Sequence, residues 1–310
     1  MSNLFVQTGL LLLGFLFLVK GADWFVDGAS GIATKLGIPQ LVVGLTIVAM
    51  GTSAPELAVS VSAALKGNES ICIGNVVGSN ILNVLIILGL CALIVNVKIA
   101  RSTITTEIPF MICISLLLLL FGWTNNNISI VEGIVLLVLF VGYLIYLYIM
   151  AKNNPVESDD AIKSASWVKL LVRLVAGLGV IVLGSELTVD SATVIAKGIG
   201  ISNRFIGLTI VALGTSLPEL FTSVNAARKG NADIAIGNIV GSNIFNILFI
   251  LGTTTLVSSI PFAAGFRIDT VIAAVAGVLL LVAGRRESML TRGWGIIFLI
   301  AYGMYFIYLL

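Results

Sequence analysis

A segment of 46 residues occurs twice in this 310-residue chain, and that duplication restricts the fold more than any other feature. GLTIVAMGTSAPELAVSVSAALKGNESICIGNVVGSNILNVLIILG starts at Gly44, and GLTIVALGTSLPELFTSVNAARKGNADIAIGNIVGSNIFNILFILG starts at Gly207. The offset is 163 residues without a gap, and 33 positions are identical. Shared apolar composition cannot account for matched Thr, Ser, Asn, Glu, Pro and Gly. The same offset pairs Gly14 with Gly177, Gly21 with Gly184 and Asp27 with Asp190.

What the repeat must fold in follows from composition. The chain is 58% hydrophobic and 10% charged, with a mean hydropathy of +1.13, against roughly 45–50% and 25% in soluble domains. Such a chain cannot cover a water-facing surface, so lipid is its expected solvent. A spanning helix takes ~20 apolar residues. Hydropathy and turn residues predict ten spans: 4–26, 39–65, 70–96, 106–122, 129–150, 167–189, 203–228, 233–260, 268–284 and 293–310. The first cation is Lys20, so residues 4–26 read as a retained first helix rather than a cleaved signal. The most polar stretch, KNNPVESDDAIKSAS at 152–166, reads as a linker.

Each repeat then holds five spans, residues 1–151 and 167–310, and an odd number of crossings inverts the second copy relative to the first. The expected fold is an all-α polytopic membrane protein of ten transmembrane helices in two inverted five-helix repeats. Spans 2, 3, 7 and 8 are expected to be discontinuous around a midplane ion site, as in secondary transporters. With the N-terminus outside, twelve Lys and Arg fall in inner loops and four (Lys66, Lys197, Arg204, Arg267) in outer ones. The charge bias therefore predicts a multi-pass cell-membrane protein with both termini extracellular and the linker cytoplasmic.

Several function classes are disfavoured. No histidine is present, and no nucleophile–base pair is recognisable, so an enzyme is not expected. Cys72, Cys91 and Cys113 lie in apolar stretches without CxxC spacing and read as buried thiols. A net charge of +2 without a basic run gives no sign of nucleic-acid binding, and no resident cofactor is expected.

The chemistry lies inside the repeats. Gly51-Thr52-Ser53-Ala54-Pro55-Glu56 interrupts span 2, and Gly214-Thr215-Ser216-Leu217-Pro218-Glu219 interrupts span 7. Proline removes a backbone donor and clashes with the preceding turn. Freed carbonyls at bilayer depth are tolerated only where protein, water or ions satisfy them. Thr52, Ser53 and Glu56 share a helical face, as do Thr215, Ser216 and Glu219. On spans 3 and 8, Ser79 and Asn83 are four apart, as are Ser242 and Asn246. All these donors are oxygens, a set suited to hard cations.

An ionised side chain at a helix centre costs about 2.5–3.5 kcal/mol on insertion scales, and the sequence carries two at matching positions. Two carboxylates ~6 Å apart at an effective dielectric of ~20 repel by roughly 3 kcal/mol. Neither motif contains Lys or Arg. A bare site should therefore take up a cation or a proton, which is the physical basis of antiport. Gly and Ser/Thr motifs alone commonly serve helix packing; their duplication beside a lone Glu is what points to an ion site. Asp23, Asp27, Glu186 and Asp190 read as solvated groups near span ends, Lys20 as a snorkelling cation, and Trp24, Trp123, Trp167 and Trp294 as an interfacial belt.

The paired GTSAPE/GTSLPE and GNVVGSN/GNIVGSN segments resemble the two α-repeats of the sodium/calcium exchangers in the cation/calcium antiporter superfamily. The resemblance covers nearly the whole chain. It implies that Glu56 and Glu219 are shared ligands of calcium and sodium, with Thr52, Ser53, Ser79, Asn83, Thr215, Ser216, Ser242 and Asn246 adding oxygens. It also implies sodium-site carbonyls from Ala49 and Ala212, and sliding of spans 1 and 6 across the remaining bundle to alternate access. The implied partners are calcium and sodium ions in a lipid bilayer, with the chain working as a monomer. Animal relatives hold a calcium-sensing domain in the central loop; the linker here is too short for one. Several sodium/calcium exchangers carry Asp where this chain has Asn246, as do potassium-dependent relatives in this region. Two formal negative charges balance one Ca²⁺, which keeps proton or potassium coupling open beside sodium, and a passive channel is the alternative of a different class.

Overall fold

The computed structural model describes residues 2–155, 166–198 and 212–309. The chain is nearly all helical: α1 (Ser2–Leu36), α2 (Gln40–Thr52), α3 (Ala54–Leu65), α4 (Glu69–Ile94), α5 (Thr103–Thr124), α6 (Ile130–Asn153), α7 (Trp167–Gly198), α8 (Ala212–Thr215), α9 (Leu217–Arg228), α10 (Ala232–Val257), α11 (Ala264–Glu287) and α12 (Arg292–Leu309). Eight of these are long and apolar enough to cross a membrane, and α2 with α3, bent by 45° at their break, make a ninth. The predicted span 203–228 is described only from Ala212 onward, and residues 156–165 of the linker lie outside the described residues.

The outward surface is what a lipid-solvated protein requires. On α6, Val131, Ile134, Val138, Val141 and Ile145 are all exposed; in water a stripe of this kind would drive association. By contrast, α10 is almost wholly buried and runs through the bundle centre. Helix α6 begins on a capping box, with Ser129 N–H donating to Glu132 Oε2 at 2.6 Å.

Small residues let α1 and α7 pack together along their length. A Cβ built on Gly14 would stand 3.0 Å from the Gly184 carbonyl, and one on Gly177 would stand 2.9 Å from the Gly21 carbonyl. These two crossings are one contact seen twice, because the repeat equates Gly14 with Gly177 and Gly184 with Gly21. Two short antiparallel pairings also bridge the halves: β1 (Val97–Lys98) with β4 (Met289–Leu290), and β2 (Asn127–Ile128) with β3 (Ile260–Pro261). The turns between α3 and α4 and between α9 and α10 match as well. Gly67 and Gly230 adopt φ of 71° and 81° there, a left-handed conformation that glycine adopts without steric cost.

The interruptions take two forms. Between α2 and α3 the helix breaks at Ser53 (φ −83°, ψ 8°), and between α8 and α9 it breaks at Ser216 (φ −91°, ψ 4°). Pro55 and Pro218 stand in the first turn of the following helix, where a missing N–H costs nothing. Helices α4 and α10 remain helical but widen into π turns over Asn83–Leu88 and Asn246–Leu251. Such turns recur at functional sites.

The first helix differs from the sequence reading. It extends to Leu36 rather than ending near residue 26, because Gly, Ala and Ser beyond Val26 continue a buried helical face with Ala29 and Ala33. Asp23 and Asp27 therefore lie within the helix. They are engaged rather than merely solvated: Asn225 Nδ2 donates to Asp23 at 3.0 Å, and Lys229 Nζ sits 2.7 Å from Asp27 and 3.2 Å from Asp23.

Candidate cation-binding site

The two breaks face each other at the bundle centre. Glu56 and Glu219 follow their breaks by three residues, and both are only 1% exposed. Each carboxylate meets the serine of the other repeat. Ser53 Oγ donates to Glu219 Oε1 at 2.8 Å, and Ser216 Oγ lies 3.4 Å from Glu56 Oε1 and 3.3 Å from Ser79 Oγ. Thr52 Oγ1 donates across the same boundary to Asn238 Oδ1 at 3.0 Å.

A second layer fixes these groups. Asn75 Nδ2 donates to Ser60 Oγ at 3.0 Å and to the Glu56 carbonyl at 3.1 Å; Asn238 Nδ2 donates to Ser223 Oγ at 2.8 Å. Four further asparagines brace α4 against α10. Asn80 Nδ2 donates to the Asn243 carbonyl at 3.2 Å, and Asn243 Nδ2 to the Asn80 carbonyl at 3.1 Å. Their side-chain oxygens in turn accept from Asn246 Nδ2 at 3.1 Å and Asn83 Nδ2 at 2.9 Å.

This network sets the amide orientations. A backbone carbonyl can only accept, so the Nδ2 of Asn80 and of Asn243 must face it, and their Oδ1 atoms must then face Asn246 and Asn83. Those two residues consequently present oxygen on their remaining side. Asn83 Oδ1, Asn246 Oδ1, Glu56 Oε2 and Glu219 Oε2 are all buried with no hydrogen-bond partner among the described residues. Buried acceptors in native proteins are almost always satisfied. Four orphan oxygens, two from each repeat and two of them carboxylate, are a donor set that a hard cation satisfies and a proton donor alone does not.

The remaining predicted ligands are placed as follows. Ser79 and Ser242 are buried on α4 and α10, and Ser242 Oγ donates to the Ala49 carbonyl at 3.3 Å. That carbonyl also accepts the Ser53 N–H at 3.0 Å, whereas the Ser216 N–H bonds the Leu213 carbonyl at 3.2 Å. The two breaks are thus not identical at Ala49 and Ala212, the latter opening the described part of α8. Thr215 is half-buried at the second break.

Sequence reasoning missed the supporting residues Ser60, Asn75, Asn80, Ser223, Asn238 and Asn243. Their signal was identity at the 163-residue offset, which marks importance without separating ligand from brace. It also missed Ser185 on α7, whose Oγ donates to the Gly214 carbonyl at 2.7 Å. The repeat puts Ala22 at the corresponding place, so only one of the two breaks receives this bond.

Comparison with known proteins converges on one family. The profile of the sodium/calcium exchanger protein family matches residues 6–149 and 169–310, that is, both repeats. The chain belongs to the sodium/calcium exchanger family. Relatives of this exchanger-family chain include the putative antiporter CaxA of Alkalimonas amylolytica, 40% identical with 96% of each chain covered. The sodium/calcium exchanger MaX1 of Methanosarcina acetivorans is 34% identical, covering 93% of this chain and 92% of its own. A solved structure of the sodium-calcium exchanger NCX_Mj, soaked with Na⁺ and Sr²⁺, matches with a TM-score of 0.85 at 34% identity, covering 97% of this chain and 98% of that one. The exchanger fold, polytopic and helical, is accordingly that of this chain, and the family comprises transporters rather than enzymes.

Proposed function

We propose that the chain is a secondary antiporter that exchanges calcium for sodium by alternating access, with net charge movement. The observation that carries this reading is the quartet of orphan oxygens on Glu56, Glu219, Asn83 and Asn246. Two carboxylates balance one Ca²⁺, and the amide oxygens extend its coordination without added charge. Thr52, Ser53, Ser79, Thr215, Ser216 and Ser242, with the carbonyls of Ala49 and Ala212, supply the further oxygens that singly charged Na⁺ ions need when they replace it. Calcium and sodium are cargo, and no resident cofactor is invoked.

The reading includes a placement. Residues 1–151 and 167–310 form the two inverted repeats, linked by 152–166 on the cytoplasmic side, in a cell-membrane protein with extracellular termini that works as a monomer in the lipid bilayer. The charge bias of the loops supports this orientation.

Alternation needs two states of similar energy, and a duplicated charge set supports one. Lys229 holds Asp23 and Asp27 of α1, and Arg173 Nη1 stands 3.9 Å from Asp27. The repeat equates Lys229 with Lys66, Asp23 with Glu186 and Asp27 with Asp190. That second set forms no ion pair among the described residues. When α1 and α7 slide, the first set opens and the second closes. These groups are partly exposed, and such pairs contribute about 0.2–1 kcal/mol each, enough to bias the equilibrium without freezing it.

Isotope flux in proteoliposomes tests the reading. An outward sodium gradient is expected to drive radiolabelled calcium uptake, and proton or potassium gradients alone are not. Uptake driven by a proton gradient and indifferent to sodium would replace the proposal with proton/calcium exchange. Flux without dependence on any counter-gradient would make the chain a channel.

A further inference from the structure

Glu56 and Glu219 are two of three fully buried carboxylates among the described residues; the third, Glu107, lies elsewhere. It sits in the first turns of α5, in a π turn over Thr103–Glu107, and is 0% exposed. Tyr146 OH of α6 donates to Glu107 Oε1. Glu107 Oε2 and Tyr143 OH are both buried without a hydrogen-bond partner among the described residues. No Lys or Arg pairs with this carboxylate among the described residues. The second repeat has a similar clip, Tyr305 OH donating to Asp269 Oδ1 at 3.1 Å, but there no Asp269 oxygen is left buried and unpartnered. Clipping two helices together therefore does not require the surplus acceptors around Glu107.

Beside these acceptors is a cavity of about 430 Å³ between α5 and α6, lined by Glu107, Phe110, Val138, Gly142, Tyr143 and Tyr146. Small-molecule sites of this kind are typically ~300–1,000 Å³, largely apolar, with a few placed polar groups. Phe110 and Tyr143 are stacked with centroids 5.6 Å apart, and Tyr143 and Tyr146 at 6.4 Å, so a run of stacked rings stands along one wall. Val138 is 65% exposed, which puts the mouth on the outward surface of the bundle.

We propose that this cavity binds the ammonium group of an amphiphile, with Glu107 as counter-ion and the alkyl chain in the groove between α5 and α6. A primary ammonium donates N–H bonds that Glu107 Oε2 and the Tyr143 oxygen can accept, and its charge offsets that of the carboxylate. A calcium ion would need ~6–8 oxygens, which this largely apolar wall does not supply. A neutral lipid chain would fill the groove but leave the acceptors unmet. The inference is independent of which ion the central site couples to calcium.

Native mass spectrometry in a non-ionic detergent tests it, comparing the intact chain with Glu107→Gln and Gly142→Leu. A Cβ at Gly142 meets nothing within 4 Å, so the second variant fills the cavity and leaves Glu107 in place. The probes are dodecylammonium, dodecanol, phosphatidylethanolamine and phosphatidylglycerol. Dodecylammonium is expected to bind the unmodified chain about tenfold more tightly than dodecanol, and to lose that advantage in both variants. Retention of phosphatidylethanolamine over phosphatidylglycerol as well assigns the guest to a lipid headgroup; retention of dodecylammonium alone assigns it to a free amphiphilic amine. Equal binding of dodecylammonium and dodecanol, or binding that survives in both variants, overturns the proposal.

Discussion

Ser53 of the first repeat donates its hydroxyl to Glu219 of the second at 2.8 Å, rather than to Glu56 on its own strand of sequence. The mirrored approach, Ser216 to Glu56, is longer at 3.4 Å. Each acid is thus held by the opposite half of the chain. Neither repeat owns a complete site, and the duplication yields one centre instead of two.

The asparagine brace should be a stability element as well as a site element. Asn80→Leu removes the acceptor of Asn246 and the donor to the Asn243 carbonyl, leaving buried polar groups unpaired at about 1–3 kcal/mol each. A lower melting temperature in detergent is expected, and Asn243→Leu should add less than its single effect on top of it, because both act on one network. Fully additive losses would show that the four asparagines do not work as a unit.

Asn246→Asp would add a third carboxylate to a neighbourhood that already fixes the amide of Asn246. Asn246 Nδ2 donates to Asn80 Oδ1, and Asn80 cannot turn because its own amide bonds the Asn243 carbonyl. A carboxylate would place oxygen against oxygen unless it carried a proton on that side. The variant is expected to be destabilised by about 1–3 kcal/mol and to transport calcium with a new dependence on pH. Unchanged stability and an unchanged pH profile would contradict the amide orientation deduced above.

The charge sets around α1 and α7 predict opposite phenotypes for matching residues. Lys229→Ala should shift the population away from the arrangement described here, and Lys66→Ala toward it, each by up to ~5-fold for about 1 kcal/mol. Double electron–electron resonance between labels on α1 and on the fixed bundle would read the shift. Shifts of the same sign for both variants would dismiss the exchange of ion pairs.

Close approach of α1 and α7 depends on glycine. A Cβ on Gly177 would lie 2.5 Å from the Phe25 backbone nitrogen, so Gly177→Ala must push the helices apart. Overpacking of this kind costs about 1–3 kcal/mol, and a loss of exchange rate greater than any loss of calcium affinity is expected in flux and binding assays. Wild-type exchange would mean that the pair does not move as one unit.

Much of this architecture is legible in the sequence itself. The repeat, the ten-span plan and the Glu-bearing breaks followed from identity at a fixed offset and from the hydropathy of a chain too apolar for water. Which serine meets which acid did not follow, because helical spacing puts Ser53 beside Glu56 and only tertiary packing brings it to Glu219. The π turns starting at Asn83 and Asn246 were equally hidden, since one extra residue per turn leaves no mark on an all-apolar stretch such as NVLIIL. Asp23 and Asp27 were misplaced for a related reason. Hydropathy falls after Val26, but the helix does not end there, and their partner Lys229 is 206 and 202 residues away in sequence.

Calcium titration calorimetry on the purified chain, on Glu56→Gln and on Glu219→Gln tests the shared centre most directly. One calcium per chain is expected for the unmodified protein, and none for either variant, since each substitution removes half the charge of a single site. Retention of a calcium ion by either variant, or two ions per chain with one lost at a time, would contradict the account.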